Sequence, residues 1–225
     1  MGWPTSAAEL RALQLELARA APEPWRPGPD PVVGGCFVCF ARGKSGPGAA
    51  SDPGWAGAAL AYGRSAVAEG KAGAPYQPGL LALREGPLLE AAVRALSAEP
   101  EVLIVNATGR DHPRRAGLAL HLGAVLEVPS LGVTHRPLSA GGELPADERG
   151  ARTPLLLEDE IVGCWLRTRA GMRPLVVHPG WRVDCETAAD LVLAHSRART
   201  PEPLRLARRA ARSARAASPL QFRPR

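Results

Sequence analysis

Lysine is nearly absent from this chain: Lys44 and Lys71 are the only two among 28 basic residues in a length of 225. The formal net charge of +6 therefore rests on arginine, and Arg205, Arg208, Arg209, Arg212 and Arg215 crowd the C-terminal end. Such a patch suits phosphate-rich partners, and a solvated tail would look the same. Cysteine is scarce as well. Cys36, Cys39, Cys164 and Cys185 are too few to staple a chain that can build its own core, so a disulfide scaffold is excluded and a reducing, cytoplasmic setting is expected. No stretch approaches the roughly 18–20 unbroken apolar residues of a membrane span, so no membrane association is expected. The opening Met1-Gly2-Trp3-Pro4 lacks a basic-then-apolar secretion signal. What is there is ordinary for a globular protein: 45% hydrophobic and 22% charged residues, too apolar for disorder. The length suits a single domain, 1–225, with an arginine-rich helix or tail over about 201–225.

Periodicity predicts the elements. Ser6 and Glu9 form a capping box ahead of Leu10, Leu13 and Leu17 at helical spacing. Pro and Gly fill a connector over 22–31, after which 32–40 reads as a strand. A loop over 43–54 leads to a hairpin, 55–62 with 64–69. Leu88, Leu89, Ala92 and Leu96 make the buried stripe of a helix, and Val102 to Val105 is a continuous apolar strand of the kind found inside a parallel sheet. Pro113, at a first helical position, predicts a helix opening at His112-Pro113. Short strands over 125–128 and 131–134, a polar loop over 141–150, strands over 161–167 and 174–178, and helices over 186–195 and 204–217 complete the chain. Antiparallel strands followed by strand–helix alternation predict an α/β fold, a mixed sheet flanked by helices on both faces.

Several places are more polar or more constrained than a core requires. The run from Asn106 to Arg115 follows the most apolar strand, at the carboxyl end where ligands collect in open α/β sheets. A polar turn would read the same way. Pro75-Tyr76-Gln77-Pro78-Gly79 is a stiff loop presenting a ring, as a wedge between bases needs, or an ordinary tight turn. Glu85 stands beside a turn that opens a helix. Cys36 and Cys39 have a redox or zinc spacing, but residues three apart on a strand face opposite sides and no second such pair exists, so buried structural cysteines are expected.

Taken together, Pro75-Tyr76-x-Pro78-Gly79-Leu80-Leu81-Ala82-x-Arg84-Glu85 and His112-Pro113-Arg114-Arg115-x-Gly117-x-Ala119-x-His121-x-Gly123 resemble the endonuclease V family, and Val128-Pro129-x-x-Gly132-Val133 and Gly180-x-Arg182-Val183 follow in the same order. The resemblance implies an RNase H-like fold and magnesium-dependent hydrolysis of a phosphodiester 3′ to deoxyinosine in DNA or inosine in RNA, with the protein acting as a monomer. It implies a wedge at Pro75, Tyr76, Gln77 and Pro78, and a largely backbone hypoxanthine pocket near Gly79 and Gly109. Arg114 and Arg115 would contact nucleic acid. Extruding a base costs a few kcal/mol.

Carboxylates are what this chemistry requires, because Mg²⁺ is a hard cation that takes oxygen ligands in octahedral array. Glu85 and His112 match the family, and Glu186 stands where a late acid is expected. The first-strand aspartate, however, falls on Phe37, the central-strand aspartate on Asn106, and the helper lysine on His135. Glu85 and a weakly ligating Asn106 would be left to hold the metal. The ligand charge falls from roughly −3 to about −1, and attraction for a divalent ion falls with it. Asp111 and Asp184 are the nearby carboxylates. Three readings follow: a repair nuclease of reduced activity, a catalytically inactive binder of inosine-bearing strands, and a fold kept for protein partners that dock on the arginine-rich tail.

Overall fold

The computed structural model describes residues 2–41 and 46–219, so part of the expected 43–54 loop and the last residues of the arginine-rich tail lie outside the described residues. The order is α1 (Ala7–Arg19), β1 (Val33–Phe40), β2 (Pro53–Leu60), β3 (Ser65–Lys71), α2 (Leu81–Arg94), β4 (Val102–Val105), α3 (Leu118–Leu126), β5 (Ser130–Thr134), β6 (Arg152–Leu157), β7 (Glu160–Leu166), β8 (Leu175–Pro179), α4 (Cys185–Ala194) and α5 (Glu202–Ala217). One sheet runs β3-β2-β1-β4-β5-β8-β7-β6. Its centre is parallel, β1 to β4 to β5, and every other pairing is antiparallel.

β4 shows why both faces are covered. Its four apolar residues are fully buried and alternate: Leu103 and Val105 join the cluster of α1, α2 and α3, while Val102 and Ile104 join that of α4 and the start of α5. β1 alternates in the same way. Cys36 packs toward α2, and Phe37 and Cys39 toward α5, so the expected burial of Cys36 and Cys39 on opposite faces holds. On the second face, α5 lies directly on the backbone of β1 and β2. A methyl at Gly35 would sit 2.6 Å from the Pro203 carbonyl carbon, and one at Gly57 would collide with the Ala207 carbonyl oxygen.

Two expectations are corrected. No helix opens at His112-Pro113: Arg115 takes a left-handed φ of 54°, the Gly117 N–H donates to Gly109 O, and the helix starts at Leu118. Residues 125–128 are not a strand, because α3 runs to Leu126 and closes through a left-handed Glu127 and a Val128 N–H donated to Gly123 O. β6 falls in a stretch for which the sequence reading assigned no element, and its Pro154 is tolerated because β6 is an edge. No described helix is long and apolar enough to cross a membrane.

Candidate nucleic-acid interface

The loop before α2 is clamped through one carbonyl. Gly79, at φ 75°, accepts from Arg114 Nη2 at 2.8 Å and from Gln14 Nε2 at 3.1 Å, and His112 Nε2 lies 3.2 Å away. The Arg114 N–H donates to His112 Nδ1 at 3.1 Å, so the His112 proton sits on Nε2 and points at Gly79 O. Burial, helped by the Arg114 charge, pushes His112 down to about 4, which keeps it neutral. Arg114 Nε closes the set on Gln14 Oε1 at 2.6 Å. Three segments, α1, the loop before α2 and the turn after β4, are thus fixed to one another. With the loop held, Tyr76 stands out 52% exposed.

Beneath Tyr76 is a cavity of about 190 Å³ with mostly apolar walls, bounded by Pro78, Gly79, Asn106, Thr108 and Leu138. Gly109 does not line it. A methyl there would strike the Pro179 carbonyl, so this glycine serves the packing of the turn on β8. Arg115 lies elsewhere too, bound to Glu158 at 3.0 Å, to Glu160 at 3.2 Å and to the Leu157 carbonyl, which ties the turn to the β6–β7 hairpin.

Glu85 and Asn106 both neighbour Cys36, while Phe37, the next residue along β1, faces α5. The Asn106 N–H donates to Cys36 O at 3.3 Å, Cys36 pairs with Val105 in register, and burial, with the Glu85 carboxylate adding to it, raises the Cys36 thiol. Burial pushes Glu85 itself up to about 7, against the pull of Arg84. On the α5 side, Asn106 Oδ1 accepts from Arg208 Nη2 at 3.0 Å, and the Arg208 guanidinium lies 5.2 Å from the centre of the Phe37 ring. His135 is exposed on this same side, held below its usual range by burial and by Arg199 and Arg208. Glu186 is not brought in: it is exposed in the first turn of α4, which packs on β7 and β8. The two nearby carboxylates are committed elsewhere. Asp111 accepts three backbone N–H groups, from Leu138, Ser139 and Ala140, and Asp184 caps α4.

The pattern that defines the family described as Endonuclease V matches residues 23–209. The chain belongs to the endonuclease V family. An endonuclease V from Roseiflexus sp. (strain RS-1) is 40% identical over 211 residues, 91% of each chain. The crystal structure of endonuclease V from Streptomyces avermitilis superposes with a TM-score of 0.84 at 36% identity, over 95% of this chain and 94% of that one. The Ciona intestinalis endonuclease V in complex with DNA containing an inosine followed by a ribo-adenosine shares the fold, with a TM-score of 0.75 and 21% identity over 92% and 96% of the two chains.

Against the endonuclease V expectation of a magnesium centre, the donor set does not fit. Phe37 offers no ligand atom, the Asn106 oxygen is engaged by a cation, and Glu85 is the one carboxylate left at the three positions. Among the described residues no group of three or more His, Cys, Asp or Glu could hold a metal ion. Gln14 is the site residue that the sequence reading missed. Its signal was present: it occupies the buried stripe of α1 between Leu10 and Leu17, where a 2% exposed polar side chain needs a specific partner.

Proposed function

We propose that this endonuclease V family member reads inosine in nucleic-acid strands, and that its hydrolysis of the phosphodiester 3′ to that base is impaired. The observation that carries the reading is the clamped loop. Three side chains converge on Gly79 O and hold a protruding Tyr76 over a cavity at the end of the central strand. A ring fixed at that height can enter a base stack and fill the gap left by an extruded nucleotide. Backbone and small polar groups around Gly79 and Thr108 then offer the extruded base hydrogen-bonding partners without charge. That a Ciona relative of the same fold is bound to inosine-containing DNA is in keeping with this use of the surface.

The impairment rests on chemistry, since Phe37 and an amide bound by Arg208 occupy two positions where the family resemblance calls for carboxylates. This favours a binder of inosine-bearing strands over an efficient nuclease. Affinity for a strand with one deoxyinosine is compared with that for its deoxyguanosine counterpart at matched salt, beside a nicking assay in Mg²⁺ and in Mn²⁺. Preference for the inosine strand, with nicking near the metal-free control, is expected. Equal affinities would refute recognition, because phosphate contacts alone cannot tell the strands apart. Brisk nicking would refute the impairment.

A further inference from the structure

α5 places Arg205, Arg208, Arg209 and Arg212 on successive turns of one face, along a shallow depression of about 420 Å³. Among the described residues only Arg205 of these four meets a carboxylate, Glu202 at 2.7 Å. Arg208 turns inward. It donates to the neutral Asn106 amide at 3.0 Å, lies over Phe37, and buries its Nε where no acceptor reaches it. Arg212 lies 5.6 Å from the same ring. Two guanidinium groups thus share one ring, and one of them also holds the amide oxygen. Two cations held this close repel each other, and an anion bound between them would relieve that cost. A phosphate oxygen pair matches the guanidinium fork.

We propose that Arg208 supplies the positive charge at the place where the family resemblance puts a divalent ion, and that with Arg212 it binds a backbone phosphodiester directly, so that this chain holds its strand without metal. The inference rests on the strand-binding reading above. The two replacements and the arginine form one consistent set. A carboxylate at position 37 or 106 would pair with Arg208 and close the fork to phosphate, whereas Phe37 and Asn106 present it while leaving its charge unneutralised. The remaining negative group of the centre, Glu85, belongs to α2 on the opposite face of the sheet from Phe37.

Fluorescence anisotropy tests this with the full chain and a labelled oligonucleotide holding one deoxyinosine, beside its deoxyguanosine counterpart. At constant ionic strength, affinity in EDTA and in Mg²⁺ is expected to agree within about twofold. Arg208→Gln is expected to weaken both strands about tenfold and to reduce the slope of log affinity against log salt by about one. Arg208→Lys, which keeps the charge but not the planar fork, should fall between, and Arg169→Gln on the turn after β7 controls for loss of one charge elsewhere. A tenfold or greater loss in EDTA overturns the proposal, as does an Arg208→Gln protein that binds like the Arg169→Gln control. The EDTA comparison uses the unaltered chain and so stands even if Arg208→Gln does not fold. The ratio between the two strands reads the inosine reading separately: loss of preference with Arg208 dependence intact sinks recognition alone, and the converse sinks the phosphate clamp alone.

Discussion

At the scale of single residues, the site depends on where a few protons and charges sit. Tyr76 is half exposed and belongs to no core cluster, so Tyr76→Ala should leave the urea midpoint unchanged. Stacking of one base on an aromatic ring is worth about 1–3 kcal/mol, so the same change should cost roughly tenfold or more in affinity for the inosine strand, read by anisotropy. Gln14→Ala acts differently. It leaves Arg114 Nε without its acceptor and removes one donor from Gly79 O, a loss of about 1–3 kcal/mol in stability, and it should lower inosine preference while sparing affinity for the plain strand. Restoring Phe37→Asp with Asn106→Asp places new carboxylates beside Arg208, where ion pairing competes with metal. Calorimetric titration with Mn²⁺ should therefore show no binding in that double variant and measurable binding once Arg208→Ala is added. Tight binding in the double variant would show that Arg208 yields to the metal.

At the scale of elements, α5 is held against β1 and β2 by missing side chains. Gly57→Val would press a branched side chain into the Ala207 backbone, which cannot rotate aside, so the helix must lift. Chemical denaturation should show a loss of about 3 kcal/mol or more, and phosphate affinity should fall with it, since Arg208 and Arg212 ride on this helix. Most of these elements were legible in the sequence, because a capping box, a leucine stripe and apolar runs each carry their own period. Elements whose limits are set by distant partners were not. The turn at 112–117 satisfies its backbone through Gly109 O and lies against Pro179, neither of which a local pattern reveals. Tyr76 and Pro78, far in sequence from Asn106 and His112, line one cavity with them. The family resemblance assigned Arg115 to nucleic acid, because nothing near it in sequence announces Glu158 and Glu160. Arg208 was visible only as part of an arginine crowd, and its inward turn follows from the glycines of β1 and β2 beneath α5.

At the scale of the whole molecule, proton uptake couples the clamp to stability. His112, His121 and His178 are each pushed down to about 4 by burial, so from pH 6.5 to about 4 the unfolded chain binds protons that the folded chain refuses. Their contribution is complete above pH 6.5 and is lost as pH falls through 4. Glu85 acts with the opposite sign. Raised to about 7, it holds a proton in the folded state that the unfolded chain releases, so its contribution is complete below 4.5 and is lost as pH rises through 7. Between 4.5 and 6.5 three histidines oppose one carboxyl, and unfolding takes up a net of about two protons. Stability should therefore climb with pH across that window, by roughly 2–3 kcal/mol per unit at its steepest, and level off above about pH 7, where the histidine and carboxyl contributions cancel. Glu9 and Asp184, both lowered, add to the acid limb only below about 4.5. Urea midpoints measured from pH 4 to 8 should rise and then level off above neutrality, and Glu85→Gln should steepen the rise between 4.5 and 6.5, because the three histidines then act unopposed. A midpoint that does not change from pH 4.5 to 6.5 would mean that the buried imidazoles gain their protons without opening the fold, and the neutral His112 that fixes Gly79 would have to be abandoned with them.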